Sequence, residues 1–152
     1  MRFQSGPGYC GAAAIVNALR CFGERIPENR VAAHAKTTVQ GTDEHGIKAC
    51  LEHFGYSYED ISEIKYVKAE KQLITHLSHP KPRPIIMLAE SGNHWVTAVG
   101  MLGDSVIIFD SQNYAWNHAE NGVHVIKAGK NLRGFWLPYE NKRYAIVVKR
   151  NK

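Results

Sequence analysis

A cysteine at position 10 stands directly before the small-residue run Gly11-Ala12-Ala13-Ala14, with an amide side chain six residues upstream at Gln4. A thiolate at a helix N-terminus is stabilised by the positive end of the helix dipole and by backbone N–H groups that have no intrahelical partner. Both lower its pKa and raise the nucleophilic fraction at neutral pH. A glutamine on the preceding segment can aim its amide N–H at the same point as the Cys10 N–H, making a two-donor pocket for a developing oxyanion. Read alone, the same cysteine fits better as a small buried hydrophobe opening a core helix.

A thiol nucleophile needs a histidine to take its proton and a third group to orient that histidine. The segment Asn93-His94-Trp95-Val96-Thr97-Ala98-Val99 places a histidine at the head of an apolar, β-prone run. After the turn Leu102-Gly103-Asp104-Ser105, the run Val106-Ile107-Ile108-Phe109 ends at Asp110. Two antiparallel strands joined by a short turn bring the first residue of one beside the last residue of the other, so His94 and Asp110 are predicted neighbours. Singly, His94 also fits a satisfied strand-end histidine and Asp110 a turn former ahead of Ser111. Their joint occurrence with a helix-head cysteine and an upstream glutamine is far rarer than any one of them.

Gln4, the stretch Gly8-Tyr9-Cys10-Gly11-Ala12-Ala13, Gly41-Thr42, His94-Trp95-Val96 and Asp110 together resemble papain-like cysteine peptidases of the bacteriocin-processing, double-glycine-leader type. The resemblance implies an α+β, papain-like fold in a single domain over residues 1–152. It also implies Cys10 as nucleophile, His94 as general base, Asp110 as its orienter and Gln4 as the oxyanion residue. Tyr9, Gly11, Asn93 and Trp95 are then the expected substrate contacts, in a slot too narrow for side chains at the two substrate residues before the cut. The chain has Tyr9 where many relatives have Asp, and Asp110-Ser111 where many have Asp-Pro.

The implied activity is hydrolysis of a peptide or isopeptide bond through a Cys10 thioester, with a peptide or protein as partner. The same apparatus serves a deamidase or an acyltransferase, and the same scaffold serves a catalytically silent binding module. The exporters that carry this peptidase continue into membrane spans and an ATPase; ending at Lys152, the chain resembles a free-standing domain. With three residues ahead of Gln4, control is expected to come from substrate access or another protein.

The elements that must position these groups run from helical to β. Residues 10–22 form a predicted helix of small and apolar residues, stopped by Gly23. Pro27 suits the first turn of a second helix carrying Val31, Ala32, Ala33 and Ala35. Thr42 is the expected cap of a third, with Ile47, Cys50, Leu51 and Phe54 at helical spacing and Gly55 as its stop. Residues 69–79 fit a fourth helix, ended by Pro80 and Pro82. From there the period changes to two, with predicted strands at 84–88, 94–101, 105–110, 123–127, 135–137 and 144–148. A helical N-terminal half should pack on an antiparallel sheet, with the cleft between them. The polar segment 113–122, holding Tyr114, Trp116 and His118, is a candidate mobile loop over that cleft.

A chain of 152 residues with 44% hydrophobic residues can bury one sizeable core. Its cysteines, Cys10, Cys21 and Cys50, are three in number, which excludes full internal pairing and argues for a reducing compartment. Cys21 and Cys50 fall on apolar helical patterns and read as core. No signal sequence or membrane-spanning stretch is encoded, so the cytoplasm is the default location. The net charge of +5 is spread along the chain, with groupings such as Lys65, Lys68 and Lys71, and no nucleic-acid motif accompanies it. It reads as a solvated basic surface suited to acidic partners, with nucleic-acid binding disfavoured. The pairs Cys50/His53 and His76/His79 invite a zinc test, but Cys50 lies on the apolar face of its helix and His79 at a proline-rich exit. No metal and no cofactor are expected.

Overall fold

The computed structural model describes residues 6, 8–38, 40–89, 94–111 and 122–151. Its elements in chain order are α1 (Cys10–Arg20), α2 (Glu28–His34), α3 (Glu44–His53), β1 (Tyr56–Asp60), α4 (Tyr66–Leu77), β2 (Ile85–Ala89), β3 (His94–Leu102), β4 (Ser105–Phe109), β5 (Val123–Lys127), α5 (Lys130–Phe135) and β6 (Ala145–Arg150). The strands form one six-stranded sheet in the order β1-β6-β2-β3-β4-β5, antiparallel at every pairing. The fold is α+β, with helices against both faces of that sheet.

Alternation along the central strands divides the interior into two layers. Ile86 and Leu88 of β2, Trp95 of β3, and Ile146 and Val148 of β6 face α1, α2 and α3. Their sequence neighbours Ile85 and Met87, Val96, and Ala145 and Val147 face α4 and α5. Every residue of β2 is buried, so the strand reads as a continuous apolar run. The helical N-terminal half packs on the antiparallel sheet as expected, with α4 covering the face opposite α1.

In α1 every residue except the terminal Arg20 is buried, because its small side chains let the helix lie within the core. It packs along β3, where the buried Thr97 Oγ1 donates to the carbonyl of Ala14 at 2.7 Å. At its end the chain turns at Gly23, whose φ of 85° is open to glycine at no steric cost. The cap of α3 is Asp43 and not Thr42: its carboxylate accepts from the Gly46 N–H at 2.8 Å. The Thr42 hydroxyl instead meets that of Thr37 at 2.6 Å.

Two elements depart from the sequence reading. β1 was not expected, because its mostly polar sequence carries little β signal; among the described residues it is an edge strand paired to β6. Residues 135–137 are not a strand. Phe135 ends α5, and the start of that helix is fixed by α4, with Tyr66 Oη donating to the Gly129 carbonyl at 2.9 Å and the Gly129 N–H donating to Glu70 Oε1 at 2.7 Å. Both partners lie about sixty residues upstream, out of reach of a local pattern.

Candidate active site

Cys10 is the first residue of α1, and Gly8 reaches it through a positive φ of 82°. Among the described residues no side-chain hydrogen bond caps this helix, and no acidic residue lies in its first turn. The N-terminal end of the dipole is therefore left to the sulfur. Burial pushes the Cys10 thiol up, but interaction with the His94 imidazole and the backbone N–H groups of Trp95 and Gly11 outweighs it, and the pKa is lowered below the ordinary thiol value. The other two cysteines move the opposite way. Burial raises Cys21, and raises Cys50 to about 12.

The hairpin expected from the sequence forms. β3 and β4 are joined through Gly103 and Asp104, and their register sets Thr97 opposite Phe109. Continued by one pair, that register places Val96 opposite Asp110, with His94 diagonal to Asp110 on the same face. His94 Nε2 lies 2.6 Å from Asp110 Oδ1, and both side chains are almost completely buried. Burial pushes the imidazole down, yet the Asp110 carboxylate and then Cys10 raise it to about 9. The other ring nitrogen, Nδ1, is buried without a conventional hydrogen bond. It is the atom left to exchange a proton with the thiol, and the arrangement favours a thiolate–imidazolium pair.

A second histidine reaches the same carboxylate. His124 Nε2 lies 2.9 Å from Asp110 Oδ2. In β5, Val123 pairs with Phe109, and the Asp110 N–H donates to the Gly122 carbonyl at 2.8 Å, which makes His124 diagonal to Asp110 from the other side. Nothing in the sequence assigned His124 to the site. A lone histidine within Val-His-Val-Ile-Lys carries no register, and residues 111–123 separate it from Asp110.

The expected substrate contacts fall in different places. Trp95 is buried in the core beside Cys10, and its Nε1 donates to the Thr42 carbonyl at 2.8 Å. The same residue lines a cavity of about 750 Å³, together with Thr42, Asp43, Leu88, Tyr139 and Tyr144. Gly11 is buried against Thr42 and Trp95, and Tyr9 is half-buried against the core cluster that contains Cys10. Gln4 and Asn93 lie outside the described residues, as does the segment 113–121 of the candidate loop.

Among the described residues, no cluster of three or more His, Cys, Asp or Glu side chains is arranged to hold a metal ion. Cys50 Sγ faces the Val31 carbonyl at 3.7 Å, and His53 stacks on His34 with ring centroids 3.6 Å apart. No helix among the described residues is long and apolar enough to cross a membrane.

Comparison with known proteins gives three kinds of result. The family model described as "Peptidase C39 family" matches residues 2–120. No curated protein matches the chain. Among solved structures, the peptidase domain of Streptococcus ComA, a bi-functional ABC transporter involved in a quorum sensing pathway, is similar with a TM-score of 0.69 and 16% identity, covering 99% of this chain and 97% of its own. A double glycine motif protease from an AMS/PCAT transporter, solved in complex with its leader peptide, gives 0.73 and 15%, covering 98% and 89%. A C39-like peptidase from Bacillus anthracis gives 0.65 and 12%, covering 100% and 96%. At these identities the likeness is one of fold.

Proposed function

The chain belongs to the Peptidase C39 family, and on that premise we propose that it is a cysteine peptidase that cuts a peptide bond through a thioester on Cys10. The observation that carries the reading is the pairing of a thiol of lowered pKa with a histidine bound to a buried carboxylate. Among the three cysteines, Cys10 alone is activated in this way.

In the proposed reaction His94 Nδ1 takes the thiol proton and the Cys10 thiolate attacks the substrate carbonyl carbon. The oxyanion is held by the Cys10 N–H at the start of α1 and by the amide of Gln4. The tetrahedral adduct collapses as His94 returns the proton to the departing amine. Water, deprotonated by His94, then hydrolyses the thioester and restores the thiol. Asp110 fixes the ring so that Nε2 faces the carboxylate and Nδ1 faces the sulfur.

We place the preferred cut after small residues, with Gly-Gly as the leading candidate. Support comes from the double glycine motif protease of similar fold and from the bulk of Trp95 beside the site. The cavity bordered by Trp95, Leu88 and Tyr144 is assigned to substrate residues upstream of the cut. The test is a peptide panel with Gly-Gly, Ala-Gly or Ala-Ala before the scissile bond, assayed by mass spectrometry. Cleavage of the Gly-Gly peptide by wild type and not by Cys10→Ala is expected. Wild type and Cys10→Ala indistinguishable on every peptide would overturn the assignment.

A further inference from the structure

We propose that His124 is a positioning residue for the Cys10–His94 pair and that it acts through Asp110. The inference rests on the peptidase reading through the activation of Cys10 alone.

The torsion that orients an aspartate carboxylate is broad and roughly two-fold, so a ring bound to each oxygen fixes the plane of the group better than a ring bound to one. Asp110 has an imidazole on each oxygen, His94 at 2.6 Å and His124 at 2.9 Å. Two partners in different directions fix both the plane and the direction in which Oδ1 points. His94 inherits that direction at Nε2, and Nδ1 then has one orientation available toward the sulfur. Similar outer partners of metal-bound histidines are worth about 10–100-fold in ligand performance.

Burial adds a second contribution. Asp110 is 2% exposed, and a buried carboxylate is costly unless its lone pairs are satisfied. An N–H from His124 lets the charge persist beside His94 without consuming the oxygen that His94 needs. The His124 ring is itself fixed, since its strand pairs with β4 along five residues and the ring packs on Phe135 of α5 at 5.1 Å between centroids. Among the described residues, the charged group that the structure places against this ring is Asp110; its neighbour from α5 is the uncharged Phe135.

The test follows alkylation of Cys10 by iodoacetamide as a function of pH, which needs no substrate. His124→Phe keeps the ring contact and removes the donor; His124→Gln keeps an N–H donor near the position of Nε2. The phenyl variant should alkylate about 10-fold more slowly at pH 7, with its profile displaced to higher pH. The glutamine variant should return to within about 2-fold of wild type on the same scale. In an Asp110→Asn background, His124→Phe should add nothing further. If the phenyl variant does not fold, His124→Met replaces it, since a thioether of similar length to glutamine cannot donate. Rapid wild-type alkylation left unchanged by His124→Phe, or equal rates in the Gln and Met variants, overturns the role of His124 alone. Slow alkylation of wild-type Cys10 overturns the peptidase reading and this inference with it.

Discussion

A Cβ placed on Gly11 would stand 2.7 Å from Cβ and 2.8 Å from Oγ1 of Thr42. The start of α1 and the loop leading into α3 touch with no room between them. Thr42 has little freedom to withdraw, since its hydroxyl meets Thr37 at 2.6 Å and its carbonyl accepts from Trp95 at 2.8 Å. The contact therefore clamps the residue after the thiol to the residue after His94.

Gly11→Ala should destabilise the protein by about 1–3 kcal/mol, the usual cost of overpacking, in spite of the roughly 1 kcal/mol that alanine gains over glycine in a helix. Thermal unfolding measures it, and a chain of this size should lose about 2–4 °C per kcal/mol. Thr42→Gly in the same molecule removes both offending atoms and should recover part of the loss. Unchanged stability in Gly11→Ala would contradict the close approach.

Thiol reactivity should follow a window in pH. Cys10 ionises below the ordinary thiol value, so alkylation at Cys10 rises at lower pH than at an ordinary thiol. The imidazolium partner loses its proton near 9, so peptide hydrolysis, which needs that proton for the leaving amine, should fall on the alkaline side at about 9. Cys50, raised to about 12 by burial, should remain slow throughout. Mass-spectrometric mapping of the labelled peptides separates the three sites.

Asp110→Asn removes the charge from the group that does most to raise His94 while keeping its size. The His94 pKa should drop toward the ordinary 6.5, carrying the alkaline limb of the rate profile down with it. The rate constant at neutral pH should fall on the order of 100-fold, less than the roughly 10⁴ lost by a serine triad, because a thiol is partly ionised without help. A loss confined to KM would argue against the orienting role.

In Cys10→Ala the thiolate is gone and Asp110 remains as the partner of His94. A histidine whose folded pKa is raised above 6.5 contributes stability that is fully present below 6.5 and is lost as pH rises through the folded value. Cys10→Ala should therefore exceed Cys10→Ala/His94→Asn in unfolding free energy at pH 6, and the gap should narrow on the way to pH 10. Each pKa unit of elevation corresponds to about 1.4 kcal/mol of that gap. Denaturant titrations at the two pH values give the comparison, and a gap that widened with pH would reverse the assigned sign.

Local chemistry was readable wherever the signal lay within one element or one hairpin. Cys10 before Gly11-Ala12-Ala13-Ala14 marks a helix start, and two β-prone runs around Gly103-Asp104 bring His94 to Asp110. α5 was misread because its aromatic residues resemble a strand when Glu70 and Tyr66, the groups that anchor its start, are not in view. β1 went unread because an edge strand is free to be polar. Asp43 and Thr42 stand side by side as possible caps, and only the backbone path chooses between them.

By itself the sequence determined the place of Cys10 at a helix head, the hairpin that pairs His94 with Asp110, and the β-prone runs around them, since each follows from periodicity, turn chemistry or helix-end electrostatics acting over a few residues. Tertiary structure alone decided that His124 shares the Asp110 carboxylate, that α4 and α5 cover the second face of the sheet, and that Gly11 must be small against Thr42. Those relationships depend on strand order and on the close approach of segments distant in the chain. Packing sets both, and no local pattern encodes them.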